Sequence, residues 1–233
     1  QRRRQGAFRV ISKTPLQVLR HRFGSSMNIV FARGMETTRS TDCKGFAEAV
    51  EIATKSELVL LFLGEESILS GEAHCRASIR LPGCQEALVD AIAETGTSIV
   101  AVVMAGRPLI MHKLLKRVDA ILYAWHPGSI AGPALVDLLT GKAVPSGRLP
   151  VTFPKMTGQI PIYCAHKNTG RPATPDTHIH IDEIEQGAFQ TSVGNTSFHL
   201  DAGYTPEFPL GFGLSYTRFE YTNLRLSSEQ VQY

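Results

Sequence analysis

The stretch ELVLLFLGEESILSGEAHCR, residues 57–76, runs an apolar segment into a glycine and then into a loop holding Glu65, Glu66, Glu72, His74, Cys75 and Arg76. A short, continuous apolar run of this kind reads as a strand buried on both faces, the environment of a parallel sheet covered by helices. In such sheets ligands are held outside the carboxyl ends of the strands. Three carboxylates gathered at one strand end therefore pose a choice between an ordinary solvated loop and groups that donate and accept protons.

Working outward, helix-like and strand-like segments alternate from residue 14 to about residue 141, the pattern of an α/β fold. Thr14-Pro15 forms a cap and first-turn pair, after which Leu16, Leu19 and Phe23 recur at helical spacing. Residues 28–32 read as a short strand, and Phe46, Ala49, Val50 and Ala53 as one stripe of a second helix. Beyond the acidic loop, Leu88, Ala91 and Ile92 mark a helix ending at Gly96, residues 98–104 a strand and 109–115 a short helix. Residues 120–124 give another strand and 134–139 a helix stopped by Gly141. The expected architecture is a three-layer α/β/α sandwich with a mostly parallel sheet.

After Gly141 the texture changes. KAVPSGRLPVTFPKMTGQIPIY is rich in Pro and Gly and suits a strand or two wrapped over the sandwich. The sandwich is expected over residues 1–165. Residues 166–207, polar and aperiodic, read as a long surface excursion, within which 174–206 is a candidate for covering a cleft or meeting a second subunit. In 208–233, FPLGFGLSYTRFEYTNLRLS restores alternation, with Phe219, Tyr221 and Leu224 placed as in the opening strand of a β domain.

Composition narrows the function classes. The 233 residues are 43% hydrophobic and 19% charged, which describes a folded globular chain. A net charge of +3 rests largely on QRRRQ at the start and Arg20-His21-Arg22, so nucleic acid is not an expected partner. No apolar run approaches the roughly 20 residues needed to span a bilayer, and the first ten residues lack the apolar segment of a signal peptide. Cys43, Cys75, Cys84 and Cys164 contain no CxxC pair; free thiols are the default, with a Cys75–Cys84 bridge open only in an oxidising compartment.

The strand ends carry unusual sequence: GEESILSGEAHCR, then AGRP at 105–108 and AWHPGSIAG at 124–132. With PSGRLPVTFP at 145–154, QIPIY at 159–163, HKNTGRP at 166–172 and FPLGFGLSYT at 208–217, these motifs resemble, in order, the C-terminal half of glycoside hydrolase family 3. The bacterial periplasmic β-glucosidases of that family are the nearest likeness. The resemblance runs from about Gly24 to Leu226 and implies a retaining exo-β-glycosidase built from two main domains. An N-terminal (β/α)8 barrel would supply an Asp nucleophile, and an α/β sandwich, the part seen here, the general acid/base. The segment 208–233 matches the entry to a fibronectin type III-like domain. The resemblance further implies a terminal β-glucoside or oligosaccharide as substrate, no cofactor, no metal, a periplasmic or secreted location with the cytoplasm left open, and inactivity of this chain by itself. A homodimer is left open; a membrane is not an expected partner.

Glu72 falls where the family places its acid/base, in the SGEAHCRASIRLPGCQ stretch. Glu65 and Glu66 read as loop anchors, bonded to backbone amides or to Arg76. His74 and Arg76 orient Glu72 or fasten its loop, and His166, Asn168 and Arg171 are candidates for reaching substrate hydroxyls. Trp125 reads as core. His178, His180 and Asp182 alternate as on one face of a strand, and a structural role is preferred there to a metal site. Ser129 to Gly132 depart from the family's acidic residue and Gly-Gly pair, so a different local hydrogen-bond pattern is expected. Against the glycosidase stand a non-catalytic carbohydrate-binding or interaction lobe, a nucleotide-binding module that lacks any GxGxxG or GxxxxGK[ST], and a hydrolase built on Cys75 and His74 that lacks a nucleophile elbow.

Overall fold

The computed structural model describes residues 13–167 and 170–228. Three strands, β1 (Leu58–Gly64), β2 (Ser98–Met104) and β3 (Ala120–Tyr123), form a parallel sheet in the order β1-β2-β3. Gly64 pairs with Met104 and Val103 with Tyr123, so the strands end level at their carboxyl termini. β2 is central, and Ile99, Ala101, Val102 and Val103 are all buried, which is why its continuous apolar sequence marks it residue for residue. The register of β3 is set by Asp119, whose Oδ2 accepts from the Ile99 amide at 2.7 Å while its own amide donates to the Ile99 carbonyl at 2.9 Å.

The pleat sends alternate side chains to opposite faces. Leu61, Leu63, Ile99, Ala101 and Val103 pack in one core with Ala49 and Ala53 of α2 (Phe46–Thr54) and Leu88, Val89 and Ile92 of α3 (Gln85–Ala93). Val102, pointing the other way, is fully buried as well. A second helix pair, α1 (Pro15–Phe23) and α4 (Ala131–Leu139), packs together and buries Val18, Leu135 and Val136. α1 starts on a capping box: Thr14 Oγ1 accepts from the Gln17 amide, and Gln17 Oε1 from the Thr14 amide. A Cβ on Gly132 would lie 1.9 Å from the Lys13 carbonyl oxygen, so only glycine lets the start of α4 approach the start of α1.

Four expected elements form differently. Residues 28–32 make no strand: Ala32 touches the core, but Val30 and Phe31 are largely exposed and the segment joins no ladder among the described residues. Between 109 and 115 only a short turn, Leu114–Lys116, is helical. Leu109, Met111 and Leu114 are buried, so that apolar pattern reports a loop pressed onto the core. Phe219, Tyr221 and Leu224 are exposed and form no strand, since strand geometry persists only with a hydrogen-bonded neighbour. α4 begins three residues before the expected start, because Pro133 sits in its first turn, where a missing amide proton costs no helical bond.

The Pro- and Gly-rich connector lies against residues 207–212. Phe153 donates to the Phe208 carbonyl and accepts from the Glu207 amide, both at 2.9 Å, and Leu149 donates to Phe212 at 2.9 Å. Residues 170–206 fold back on themselves through two 3-10 turns, Ile181–Glu183 and Val193–Asn195, and bridges pairing Pro172 with Ser197 and His199 with Gly203. Gln159, which is buried, and Lys155, which is half-buried, hold this segment through the Ala202 carbonyl and Thr205.

Candidate active site

The level strand ends bring three loops together: 65–84 after β1, 105–113 after β2 and 124–130 after β3. Gly64 makes the first turn. Its φ is +140°, and a Cβ there would sit 1.8 Å from the Met104 carbonyl oxygen, so the β1 exit can pass this close to β2 only as glycine. The Glu65 amide then donates to that same carbonyl at 2.8 Å.

Glu65 carries the loop's inner structure. Its carboxylate is wholly buried, and a buried charge is tolerated only when paired and hydrogen-bonded. Two guanidinium groups meet it. Arg76 Nη1 donates to Oε1 in a short contact, and Arg107 Nε donates to Oε2 at 3.0 Å. Arg107 also spans the loop, with Nη2 donating to the Leu69 carbonyl and to the His74 carbonyl at 3.2 Å. Arg76 Nη2 donates to Arg80 O at 3.1 Å. Glu66 turns outward and pairs with Arg39.

Gln85, the first residue of α3 and itself buried, closes the loop. Its Oε1 accepts from the Gly64 amide at 2.8 Å, and its Nε2 donates to the carbonyls of Gly64 at 2.8 Å, Thr38 at 2.9 Å and Pro82 at 3.1 Å. One side chain thus ties the entry of the loop to its exit.

Glu72 lies at the exposed tip. It makes no hydrogen bond or ion pair with the described residues, in contrast to Glu65 and Glu66. Ala73, next in the chain, has φ +61°, a left-handed turn that costs a residue with a Cβ about 1 kcal/mol. The His74 amide completes the turn by donating to the Gly71 carbonyl at 3.1 Å, and its ring lies against Gly71. Ser70 Oγ, buried and without a hydrogen-bond partner among the described residues, and His126 Nε2 both crowd Gly106, where a Cβ would meet them at 2.4 and 2.7 Å.

Aromatic rings back the loops. Tyr123 packs edge-on against Trp125 at 4.9 Å and Phe153 at 5.0 Å, and Phe153 against Phe208 at 6.4 Å. Trp125 adopts φ +52° and, half-buried, packs against the core rather than lying within it. The Tyr123 hydroxyl donates to the Arg107 carbonyl and accepts from the Leu109 amide at 3.3 Å, fixing the backbone that carries Arg107. Burial pushes the Tyr123 hydroxyl up to about 12.

The structure therefore brings Glu65, Arg76 and the His74 backbone together, with Glu72 on the loop that they hold. It does not join the others to them. His166 lies tilted beside Tyr163, ring centroids 6.0 Å apart, and Arg171 is exposed; neither bonds to the loop. Asn168 lies outside the described residues. His178, His180 and Asp182 do not share a strand face: His178 packs against Phe198 and Tyr204, while His180 Nδ1 accepts from the Asp182 amide to start a 3-10 turn. Among the described residues no group of three or more His, Cys, Asp or Glu is arranged to hold a metal ion. At residues 128–134 the bonds are between backbone groups, Ala131 donating to the Gly128 carbonyl and Ala134 to the Ile130 carbonyl, both at 3.3 Å. Arg107 and Gln85 were missed as individual residues; AGRP and LPGCQ were visible as motifs, but their partners lie 42 and 21 positions away.

Comparison with known proteins fits this arrangement. Residues 4–216 match the Glycosyl hydrolase family 3 C-terminal domain. The chain is 33% identical over 240 residues to a periplasmic β-glucosidase of Salmonella typhimurium, covering 95% of this chain and 30% of that protein. It is 41% identical over 189 residues to a β-glucosidase of Rhizobium radiobacter, covering 80% and 22%. A crystal structure of a β-glucosidase from Listeria innocua in complex with gluconolactone superposes with a TM-score of 0.69 at 35% identity, over 83% of this chain and 24% of that one. The chain spans less than a third of the length of these relatives. Strand-end motifs, parallel sheet and a match from residue 4 to residue 216 converge, and the chain belongs to glycosyl hydrolase family 3, of which it holds the C-terminal domain.

Proposed function

We propose that this chain contributes the general acid/base, Glu72, to a retaining exo-β-glucosidase that releases terminal β-linked glucosyl residues. The Asp nucleophile lies on a (β/α)8 barrel in the length that the relatives have and this chain lacks. The observation that carries this reading is the division of labour in the acidic loop. Glu65 and Glu66 are consumed by arginines, while Glu72 is left unpaired among the described residues on a loop braced by Arg76, Arg107 and Gln85. Covered by a barrel, an unpaired carboxyl loses solvent, which favours its protonated form. It then donates its proton to the departing oxygen and, as carboxylate, deprotonates the water that releases the sugar.

His74 and Arg76 serve this role by setting the loop, and His166 and Arg171 reach the sugar only once the second domain forms the other wall. We read residues 1–165 as an α/β/α sandwich, 166–207 as an excursion over or beside the cleft and 208–233 as the entry to a fibronectin type III-like domain. A periplasmic or secreted location goes with the Salmonella relative's name. Among the described residues no helix is long and apolar enough to cross a membrane.

The test is Glu72→Ala in the full-length enzyme. Cleavage of glucosides with poor leaving groups should fall by roughly 10²–10⁴-fold, the usual contribution of general acid catalysis. Activated aryl glucosides should suffer less, and azide should accelerate their turnover and yield a β-glucosyl azide. Rescue that follows Glu65→Ala or Glu66→Ala instead would assign the acid/base elsewhere, and undiminished turnover would make this chain a binding lobe.

A further inference from the structure

The sequence offered Cys75 as a partner for Cys84, but the fold brings another thiol to it. Cys84 sits immediately before α3, and its amide donates to the Ser40 carbonyl at 2.9 Å. Its Sγ contacts the Asp42 carbonyl oxygen at 3.7 Å, and Cys43 Sγ contacts the adjacent Thr41 carbonyl at 3.9 Å. A carbonyl oxygen lies roughly 3 Å from the next Cα across a trans peptide, so Cys84 Sγ is within about 7 Å of the Cys43 Cα. Both sulfurs therefore lie at the same turn, each against a carbonyl oxygen of the Thr41-Asp42 pair. The turn itself is fixed, with Ser40 and Asp42 side chains accepting from the Asp42 and Lys44 amides. Both thiols are free, Cys43 exposed and Cys84 half-buried.

We propose that Cys43 and Cys84 form a redox pair that closes to a disulfide by exchange with a low-molecular-weight disulfide such as oxidised glutathione. Cys43, the accessible member, attacks as thiolate. One glutathione leaves as thiol, and a mixed disulfide remains on Cys43. Cys84 then loses its proton and attacks the Cys43 sulfur, expelling the second glutathione. Two protein thiols are oxidised and one glutathione disulfide is reduced to two thiols. Partial burial and the neighbouring Cys43 and Asp42 push the Cys84 thiol upward, which suits the resolving rather than the attacking role. The bond would enclose residues 43–84, and with them α2, β1 and the acidic loop, so it would constrain the unfolded chain and tie the exit of that loop to the approach to α2.

The experiment equilibrates the full-length protein with oxidised and reduced glutathione, then maps tryptic peptides without reduction. Lys44, Arg76 and Arg80 place Cys43, Cys75 and Cys84 on separate peptides. The expected result is a Cys43–Cys84 cross-link, the loss of two titratable thiols and a thermal midpoint several degrees above that of the reduced protein. Cys43→Ser and Cys84→Ser should each remove that shift. A Cys75–Cys84 link, a glutathione adduct that persists on Cys43, or unchanged thiols in the wild-type protein would overturn the proposal, whatever the fate of either variant.

Discussion

At the scale of single residues, Tyr123 shows how a side chain packed behind the strand-end loops fixes the loop that carries Glu72. Its hydroxyl holds the Arg107 carbonyl, Arg107 holds Glu65 and the Leu69 and His74 carbonyls, and those hold the loop that carries Glu72. Burial raises its hydroxyl from the ordinary value of 10.0 to about 12. The unfolded chain therefore gives up this proton at lower pH than the folded one, so stability is unaffected below pH 10 and declines above it. The decline should reach about 2 kcal/mol by pH 12, where the folded group also begins to titrate. Tyr123→Phe should cost about 1 kcal/mol at neutral pH through the lost hydrogen bond, and its stability should fall less steeply with alkali. Chemical denaturation from pH 8 to 12 measures both curves; parallel curves would show that Tyr123 does not carry the alkaline sensitivity.

At the scale of elements, the decisive contacts are those that join one loop to another. Gln85 bonds to both ends of the 65–84 loop and to Thr38, all from inside the fold. Gln85→Leu keeps the volume but strands several buried amide and carbonyl groups, each costing about 1–3 kcal/mol. We expect a loss of about 3–5 kcal/mol in urea denaturation, with partial relaxation absorbing the remainder. In the complete enzyme kcat should fall more than KM rises, since the loop would hold Glu72 less precisely. What the sequence made legible follows the same division. β2 could be read to the residue because it is central and buried on both faces, and α1 because Thr14, Pro15 and Gln17 form a local cap. Residues 28–32 misled because a strand depends on a partner that propensity does not name, and 109–115 because burial of Leu109, Met111 and Leu114 needs no helix. In the site, the cluster of carboxylates after a strand was legible as local sequence. Which of them Arg76, Arg107 and Arg39 would neutralise was not, because those pairings span 11, 42 and 27 positions.

At the scale of the whole molecule, the proposed role of Glu72 has a consequence for the chain by itself. Retaining hydrolysis needs a second carboxyl about 5 Å from the acid/base, ionised and free to attack the anomeric carbon. The neighbouring loop carboxylates cannot serve: Glu65 is wholly buried between two guanidinium groups, and Glu66 is bonded to Arg39. Withdrawing either from its arginine would leave cationic groups unpaired and loosen the loop that carries Glu72. The 233-residue chain by itself should therefore fold with a cooperative thermal transition, supported by its continuous core from Ala49 to Phe153, and yet show no turnover of aryl or alkyl β-glucosides. Exposed apolar residues, including Val30, Phe31, Leu214 and Phe219, make weak dye binding compatible with that folded state. The paired measurement is calorimetry together with glucoside hydrolysis by the purified chain, with the Glu72→Ala chain as a control for contaminating enzyme. Turnover that disappears with Glu72→Ala would place both catalytic carboxyls on this chain and remove the need for the barrel. Turnover equal in both would come from the host, and a cooperative transition without turnover is the outcome expected if Glu72 is the acid/base and its partner carboxyl lies on another domain.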